Sequence, residues 1–371
     1  MFNLDILFDH QIFYAQDYGG ISKYFSELMS QLDSRNVNFK LALLYSNNVN
    51  LNNKNFSNHK NIFPELNFIG KRTFLGFFNY LNQKNTEKLL LSKKFDIFHP
   101  TYFSTYYLPY LGNTKLVSTF HDMAYEVYPD LFHDYQKVTD NMKKIATASD
   151  SIVAVSNYTK NDLCMRYGID KSKVKVIYHG CDFSIVKKDP SVSLPEKFIL
   201  FVGNRAGYKN FLLFLKSISL LLHKDSSLHL VCGGGGKFSQ DEEKLITTLG
   251  LGNKVIQVGV DDSILAYLYS KAKVFVFPSK YEGFGIPILE AFNAGCPVVL
   301  SKSSCFPEIA GDAALYFDPE SESSIRISVE RVIYNNKLSL KLINRGKKRA
   351  KLFSWKKAAD ETLKVYAQLV G

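Results

Sequence analysis

The architecture of this chain can be predicted from one stretch, Val274-Phe-Val-Phe-Pro-Ser-Lys-Tyr-Glu-Gly-Phe-Gly-Ile-Pro-Ile-Leu-Glu-Ala-Phe-Asn-Ala-Gly-Cys-Pro-Val-Val299. The β-branched and aromatic residues at its two ends predict strands, and the residues between them predict a loop and then a helix. Gly283 and Gly285 make the loop permissive, and Pro287 fits the first helical turn. Strand, loop, helix and strand in this order form one unit of a parallel sheet.

Two carboxylates lie on either side of the start of this helix. Glu282 lies in the loop, and Glu290 follows eight residues later in the opening turns of the helix. Carboxylates accept hydrogen bonds from sugar hydroxyls, and the free N–H groups of a helix N-terminus bind anions. The pair is therefore typical of a site for a phosphorylated, polyhydroxylated ligand. The alternative is that both acids only favour the helix dipole.

Outward from this stretch, short strand-like runs alternate with helical ones along the whole chain, which predicts parallel sheets. The predicted strands are Leu4–Phe8, Lys40–Tyr45, Ile97–Phe98, Leu116–Phe120, Ser151–Val155, Phe198–Val202, Leu228–Cys232, Val255–Val258, Val274–Pro278 and Val298–Leu300. The Asn-rich stretch Asn47–Asn61 is interpreted as a surface loop.

A polar segment with two prolines separates two halves of this pattern. We predict an α/β protein with a Rossmann-like domain at 1–183, a linker at 184–196 and a second Rossmann-like domain at 197–354. The two doubly wound domains are expected to face each other across a cleft, with ligands outside the carboxyl ends of the strands. A helix at about 355–371 is expected to pack back on the first domain.

Composition restricts the class of protein. The chain has 371 residues, which favours two domains, and 46% hydrophobic residues, which excludes disorder as the main state. With 46 Lys and Arg against 35 Asp and Glu, the net charge of +11 favours anionic partners. Five irregularly spaced cysteines, an acidic N-terminal segment and the lack of a long apolar run predict reduced thiols, no signal peptide, no membrane span and a cytoplasmic location.

The Glu-x7-Glu pattern within Pro-Ser-x-x-Glu-Gly-Phe-Gly-Ile-Pro-x-x-Glu-Ala resembles the signature of retaining glycosyltransferases of family four, which have the GT-B fold. The resemblance extends over most of the chain, through Phe8-Asp-His-Gln-Ile-Phe, Tyr18-Gly-Gly-Ile-Ser-Lys-Tyr-Phe, Phe120-His-Asp, Val155-Ser-Asn-Tyr-Thr-Lys, Val176-Ile-Tyr-His-Gly-Cys-Asp, Phe201-Val-Gly-Asn-Arg-Ala-Gly-Tyr-Lys-Asn and Pro307-Glu-Ile-Ala-Gly-Asp-Ala-Ala.

The resemblance implies roles for residues of both domains. Glu290 would bind the nucleotide ribose, and Glu282 would hold the donor sugar together with the backbone of Gly283, Phe284, Gly285 and Ile286. Gly19 and Gly20 would let the backbone approach the donor phosphates, and His121 would contact the donor sugar as the catalytic candidate of the first domain. Without the resemblance, the two glycines indicate only a turn, and a lone histidine usually has no catalytic role.

A cationic loop in Gly203-Asn-Arg205-Ala-Gly-Tyr-Lys209 resembles the family's diphosphate-binding loop, although Tyr208 stands where an arginine is usual. Lys209 is carried over directly, and Arg205 is added because its charge could reach the diphosphate and stabilise the leaving group. The alternative is a solvated surface pair. Gly259, by the same resemblance, would contribute main-chain contacts to the nucleotide base.

No cofactor or metal is predicted. The sequence contains no Asp-x-Asp, and Gly233-Gly-Gly-Gly-Lys237 lacks the Ser or Thr that would hold Mg²⁺ in a phosphate loop.

Positive charge is concentrated in two stretches. Arg331–Lys357 contains ten Lys or Arg and no acid, and its simplest interpretation is a solvated helix face. Lys71–Lys94 nets +5 and includes Phe74, Phe77, Phe78 and Tyr80, a mixture that fits an anionic membrane surface. The alternative is a helix whose aromatic residues lie in the core. Nucleic acid is not expected, since no recognition motif is present.

Together these observations predict a cytoplasmic retaining hexosyltransferase, peripheral to the membrane, that uses a nucleotide-sugar donor. The opening motifs resemble bacterial mannosyltransferases of surface-polysaccharide and lipopolysaccharide assembly, which favours a GDP-sugar such as GDP-mannose and a glycan or lipid-linked glycan acceptor. The alternatives are a nucleotide-sugar epimerase of GT-B fold and a non-catalytic protein that binds glycan or nucleic acid.

Overall fold

The computed structural model describes residues 4–52, 54–62, 71–181 and 192–371, except the side chains of residues 71–73. The chain divides into two units. Unit 1 comprises Met1–Gly180 and Trp355–Gly371, and unit 2 comprises Cys181–Ser354. The predicted linker at 184–196 falls largely on residues 182–191, which lie outside the described residues.

Unit 1 is built on a sheet in which the described residues form six parallel strands in the order β2-β1-β3-β4-β5-β6. The strands are β1 (Ile6–Phe8), β2 (Phe39–Leu41), β3 (Ile97–His99), β4 (Lys115–Phe120), β5 (Ser151–Ala154) and β6 (Val174–Val176). The helices that connect them are α1 (Gln11–Ala15), α2 (Gly20–Asp33), α3 (Lys71–Leu91), α4 (Ala124–Val127), α5 (Tyr135–Ala148) and α6 (Asn157–Tyr167).

The described part of unit 2 also forms a sheet of six parallel strands, in the order β12-β11-β10-β7-β8-β9. Here the chain adds two strands, β8 and β9, on one side of β7 before it crosses to β10, whereas in unit 1 it adds only β2 before it crosses to β3. Its strands are β7 (Lys197–Val202), β8 (Leu228–Gly233), β9 (Val255–Val258), β10 (Val274–Phe277), β11 (Val298–Ser301) and β12 (Ala314–Phe317). Its helices are α7 (Phe211–Lys224), α8 (Gln240–Thr248), α9 (Asp262–Lys271), α10 (Ile286–Ala294), α11 (Phe306–Ala310), α12 (Glu322–Tyr334) and α13 (Asn336–Ala350).

Helix α14 (Trp355–Val370) follows unit 2 in the chain but completes the core of unit 1. Its buried residues Trp355, Val365 and Tyr366 share one apolar cluster with Phe8 of β1 and Tyr24 of α2. Burial of this helix face stabilises unit 1, because large aromatic side chains contribute strongly to a core.

The ten strands predicted from sequence are present, and two more are found at the edges of the sheets. Strands β6 and β12 are short and pair on one side only. The second strand ends at Leu41 rather than at Tyr45, because the Asn82 side chain accepts hydrogen bonds from the N–H groups of Leu44 and Tyr45 at 2.8 and 3.0 Å. Within the described ranges, no helix is both long and apolar enough to cross a lipid bilayer.

Each sheet reverses its direction of winding once. The chain passes from β1 to β2 on one side and then crosses to β3 on the other, and β7 lies in the same way between β8 and β10. In open parallel sheets, ligands bind outside the carboxyl ends of the strands at such a point. The fold therefore predicts one candidate ligand-binding edge in each unit.

Candidate active site

Two loops of unit 2 meet at its reversal point. One follows β7 and runs from Gly203 to Asn210, and the other follows β10 and runs from Pro278 to Gly285. Because β7 and β10 are parallel neighbours, both loops leave the sheet at the same edge. The backbone N–H of Lys280 donates to the carbonyl of Tyr208 at 2.8 Å, which joins the loops directly.

An ion pair links the same two loops. The Lys209 ammonium lies 2.6 Å from Glu282 Oε1, although the residues are 73 positions apart in the sequence. Their side chains are 22% and 14% exposed, so the pair is largely shielded from water but remains within reach of a ligand. The rings of Tyr208 and Phe277 lie 5.1 and 5.9 Å from the ammonium. An anionic ligand could bind this lysine and leave the carboxylate available to hydroxyl groups.

The start of α10 provides a second feature of this edge. Gly285 precedes the helix with φ +86°, and a Cβ there would lie 3.1 Å from the side chains of both Ile288 and Phe306. Glycine is therefore required both by its backbone conformation and by close packing. Among the described residues no side chain caps the helix. Pro287 has no N–H, and the Ile288 N–H donates to the Gly285 carbonyl at 2.9 Å. Of the first three helical residues, Ile286 therefore keeps an N–H with no bond to the described part of the chain, and this group could bind an anion. Phe284 is buried and packs edge-on against Phe353.

Glu290 has a different partner from Glu282. It lies on α10, is 5% exposed, and its Oε2 accepts a hydrogen bond from the Tyr269 hydroxyl of α9 at 3.2 Å. Burial, together with the neighbouring Glu290 carboxylate, holds the pKa of Tyr269 well above its usual value. The tyrosine therefore remains a hydrogen-bond donor that orients the carboxylate.

Arg205 makes contacts that the sequence did not predict. It is 4% exposed, its Nε donates to Glu242 Oε1 at 3.1 Å, and its terminal nitrogens donate to the backbone carbonyls of Gly234, Gly236 and Lys237 at 2.8 to 3.1 Å. The alternative of a solvated surface pair does not describe this side chain. Its contact with a diphosphate stays a prediction.

Two other predicted glycines of unit 2 lie at carboxyl ends of strands. Gly203 has φ +101°, and its N–H donates to the carbonyl of Gly233 at 2.9 Å, which holds the first turn of the cationic loop against β8. Gly259 follows β9, is exposed, and has open space where a Cβ would stand. Its contact with a nucleotide base also stays a prediction.

In unit 1, Gly19 and Gly20 form the start of α2, after β1. Gly20 is exposed, whereas a Cβ on Gly19 would collide with the side chain of Gln16. Two residues of the Asn-rich stretch hold this turn: Asn48 Nδ2 donates to the Gln16 carbonyl at 2.5 Å, and Asn50 Nδ2 to the Gly19 carbonyl at 3.4 Å. Asn48 is fully buried, so the interpretation of this stretch as a surface loop was wrong at that residue.

His121 follows β4 and lies in a cluster of aromatic rings. It stacks on His179 with ring centroids 5.4 Å apart, and the Tyr24 ring meets its edge at 5.0 Å. Its buried Nε2 has no hydrogen-bond partner among the described residues. Burial lowers the pKa of His121 to about 3, so the imidazole is neutral near pH 7 and can donate one hydrogen bond and accept another.

The sequence analysis missed several residues that position these groups. Ser304 accepts a hydrogen bond from the Glu282 N–H at 3.1 Å and has φ +49°, which is uncommon for a residue other than glycine. Three further hydrogen bonds position predicted residues. The Tyr269 hydroxyl donates to Glu290, Glu242 accepts from Arg205, and the Asn50 side chain donates to the Gly19 carbonyl. Each lies far from its partner in the sequence, and no local spacing relates them.

Comparisons with known proteins show the family to which the chain belongs. The family described as Glycosyltransferase Family 4 matches residues 18–184, and that described as Glycosyl transferases group 1 matches residues 182–349. The chain is 28% identical to O-antigen chain mannosyltransferase B of Escherichia coli over 279 residues, which are 71% of this chain and 73% of that protein.

It is 30% identical to an uncharacterized glycosyltransferase of Methanocaldococcus jannaschii over 316 residues, which cover 79% of this chain and 81% of the relative. Among solved structures, that of Anabaena HepE in complex with UDP and glucose superposes with a TM-score of 0.77 at 16% identity, covering 98% and 100% of the two chains. At this identity the structural likeness establishes the fold alone.

Proposed function

Because this chain belongs to glycosyltransferase family 4 and is a hexosyltransferase related to the mannosyltransferases of O-antigen biosynthesis, we propose that it transfers mannose with retention of configuration. The proposed donor is GDP-mannose or a related GDP-sugar. The proposed acceptor is a glycan or lipid-linked glycan of a surface polysaccharide.

The observation that carries this proposal is the Lys209–Glu282 ion pair beside the start of α10. A donor diphosphate would bind Lys209 and the Ile286 N–H at the start of α10, where fixed positive charge stabilises the departing nucleotide. Glu282, released from the lysine, would then accept hydrogen bonds from the sugar hydroxyls. The preorganised cation supplies the charge that a metal ion supplies in other transferases, so we propose that the reaction needs no metal.

The remaining predicted residues are proposed to act as the family resemblance implies, each described within its own unit. Glu290, oriented by Tyr269, would accept hydrogen bonds from the ribose hydroxyls. His121 would meet the sugar as a neutral imidazole, since its Nε2 has no other partner among the described residues. Gly19 and Gly20 would admit the donor phosphates to the start of α2.

Differential binding tests the donor. The apparent melting temperature is measured with GDP, UDP, ADP and dTDP, because a ligand that binds the native state raises stability as its concentration exceeds Kd. We expect the largest rise with GDP, and NMR of the transferred sugar should show the donor's α-configuration retained. A rise with another nucleotide alone overturns the GDP assignment, an inverted product overturns retention, and no rise with any of the four overturns the donor site.

Helix α3 supports an acceptor presented at a membrane. Phe74, Phe77 and Tyr80 are 40%, 55% and 52% exposed, and the exposed Lys84 and Lys88 follow at intervals of four residues on the same helix face. These three aromatic residues therefore do not lie in the core, whereas the fourth, Phe78, is half-buried and packs against the Tyr45 ring with centroids 4.5 Å apart. Exposed rings beside cations fit the headgroup region of an anionic bilayer, where each cation contributes about 1 kcal/mol.

Co-sedimentation with vesicles of phosphatidylglycerol or phosphatidylcholine tests this surface. We expect the protein to bind the anionic vesicles at low salt and to lose binding in the Phe74→Ser/Phe77→Ser/Tyr80→Ser variant. Lys143→Glu/Lys144→Glu, which reverses two adjacent exposed cations of α5, serves as the matched control against Lys84→Glu/Lys88→Glu. Equal losses in both charge variants, or binding that does not respond to salt, would favour an acceptor free in solution.

A further inference from the structure

A buried ion pair outside the proposed donor contacts ties two loops of unit 2 together. The first is the cationic loop, Gly203–Asn210, and the second is the glycine loop, Gly233–Lys237, which follows the neighbouring strand β8. Arg205 crosses from the first to the second, with its Nη2 donating to the carbonyls of Gly236 and Lys237 at 2.9 and 2.8 Å. Its guanidinium also lies 4.7 Å from the centre of the Phe238 ring.

Glu242 fixes the orientation of this guanidinium. It is 7% exposed, and its two oxygens have separate tasks: Oε1 accepts from Arg205 Nε, and Oε2 accepts from the Ser239 N–H at 2.7 Å. The second bond belongs to a capping box that begins α8. The carboxylate therefore holds the arginine and the helix start in one rigid arrangement.

The two loops are in contact at a glycine. Gly235 has φ +72°, and a Cβ there would lie 2.4 Å from the Gly203 carbonyl oxygen and 2.7 Å from Arg205 Nη1. The glycine loop thus supplies carbonyl oxygens to the guanidinium at a distance that no side chain would permit. The planar guanidinium of Arg205 has five N–H donors, which can bond to several carbonyl oxygens and one carboxylate at once. The ammonium of a lysine could satisfy only some of these acceptors.

We propose that Arg205 and Glu242 are a positioning pair, which holds the cationic loop so that Lys209 meets the donor diphosphate, with Arg205 acting through the loop and not by its own contact. Lys209 lies four residues after Arg205 in the same loop, and its ammonium reaches Glu282 from that loop conformation. Removing either partner leaves a charge buried without its counterpart, which displaces the loop. This inference rests on the proposed donor site.

The test compares Arg205→Lys and Glu242→Gln with Asp225→Asn, which disrupts an ion pair between Lys197 and Asp225 at the opposite end of β7. Calorimetry measures the Kd of the nucleoside diphosphate that binds wild type, and thermal unfolding measures stability. We expect both pair variants to raise Kd about tenfold, with kcat at saturating donor changed much less, whereas Asp225→Asn lowers the melting temperature with Kd within about twofold.

The same measurement in a Lys209→Ala background separates positioning from direct contact. If Arg205 acts through Lys209, Arg205→Lys adds less than about twofold to the Kd of Lys209→Ala. Full additivity of the two effects, or variants that lose stability with unchanged Kd, overturns the positioning role. Failure of wild type to bind any of GDP, UDP, ADP and dTDP instead overturns the proposed donor site, and this inference with it.

Discussion

The two units share one plan but present different chemistry at the carboxyl ends of their strands. The edge of unit 2 holds the shielded ion pairs Lys209–Glu282 and Arg205–Glu242. The edge of unit 1 holds His99, His121 and His179, and burial lowers the pKa of each. We call these the charged edge and the histidine edge.

A buried carboxylate at the histidine edge also differs from the ion-paired carboxylates of the charged edge. Asp9 is fully buried after β1 and accepts hydrogen bonds from neutral donors: the Thr101 N–H and hydroxyl at 2.8 and 2.7 Å, and Gln11 Nε2 at 2.6 Å. Under the proposed function, the neutral donors of the histidine edge would suit sugar hydroxyls, and the cations of the charged edge would suit the diphosphate. Both sheets reverse their winding beside their first strand, although their strand orders differ, and the residues after each strand give the two edges their different chemistry.

The largest effect is expected at the charged edge. Lys209→Ala should lower kcat/KM about 10²- to 10³-fold, because it removes preorganised charge from the leaving group. Lys280→Ala is the matched control: this lysine lies in the neighbouring loop and pairs with the exposed Glu320. It should stay within about twofold of wild type in steady-state kinetics, since exposed pairs contribute little. Comparable losses in the two variants would contradict a specific role for Lys209.

The two glutamates of α10 and its loop should separate binding from turnover. Glu290→Ala should weaken nucleotide binding by about 1–3 kcal/mol, because a charged acceptor for the ribose is lost. Glu282→Ala should reduce kcat more than nucleotide affinity, since its proposed partner is the sugar.

Calorimetry and steady-state rates of both variants make this division measurable. Tyr269→Phe is the control that removes only the hydroxyl bonded to Glu290. It should weaken nucleotide binding less than Glu290→Ala does. An unchanged Kd in Glu290→Ala, or equal loss of nucleotide binding in both glutamate variants, would refute the assignment of ribose and sugar contacts.

The histidine edge should make unit 1 sensitive to acid. In the unfolded chain a histidine binds a proton near pH 6.5, whereas His99 and His121 in the folded protein do so only near pH 3. Between these values the unfolded state holds more protons, so the free energy of unfolding falls as pH falls from about 6.5. Each such histidine contributes up to about 1.4 kcal/mol per pH unit.

Fluorescence of the single tryptophan can follow the unfolding of unit 1, because Trp355 is buried in that unit. The centroids of its ring and the His179 ring are 5.8 Å apart. The urea concentration at the unfolding midpoint should decrease as the pH is lowered from 7.5 to 5.5. His121→Asn should reduce the slope of this decrease with pH. His133→Asn, which removes an exposed histidine of the same unit, should leave it unchanged. A slope that is the same in all three proteins would show that His121 does not titrate as described.

The smallest effect is expected from chelation. If Lys209 and the start of α10 supply the charge at the diphosphate, transfer by enzyme dialysed against EDTA should stay within about twofold of untreated enzyme. Readdition of Mg²⁺ or Mn²⁺ controls for inhibition by the chelator itself. A strict requirement for either ion would mean that the charged edge is incomplete without a metal.

Sequence reasoning was most successful where local pattern and tertiary structure require the same residues. The stretch from Val274 to Val299 folds as strand, loop, helix and strand, because its glycines allow the turn before the helix and Pro287 fits the first helical turn. Edge strands such as β6 were missed because they carry few residues and pair on one side only, so their alternation is weak.

Long-range contacts could not be predicted from the sequence. Charge alone suggested a diphosphate contact for Arg205, which stays a prediction, but gave no sign of its hydrogen bonds to Glu242 and to carbonyls about 30 residues away. Similarly, Asn50 could not be related to Gly19 by spacing, since the chain returns to that loop only in three dimensions. A single sequence reveals the residues of a site more readily than the residues that hold them in place.

Helix α14 has a consequence for how the chain folds during synthesis. Residues 1–180 leave the ribosome first, but their core lacks Trp355 and Tyr366 until the whole of unit 2 has been translated. His99 likewise lacks its hydrogen bond to the Tyr366 hydroxyl, a contact between residues 267 positions apart. Unit 2 is continuous in sequence and can therefore complete its core before unit 1 does. The first half of the polypeptide to be made is thus the last to reach its native packing.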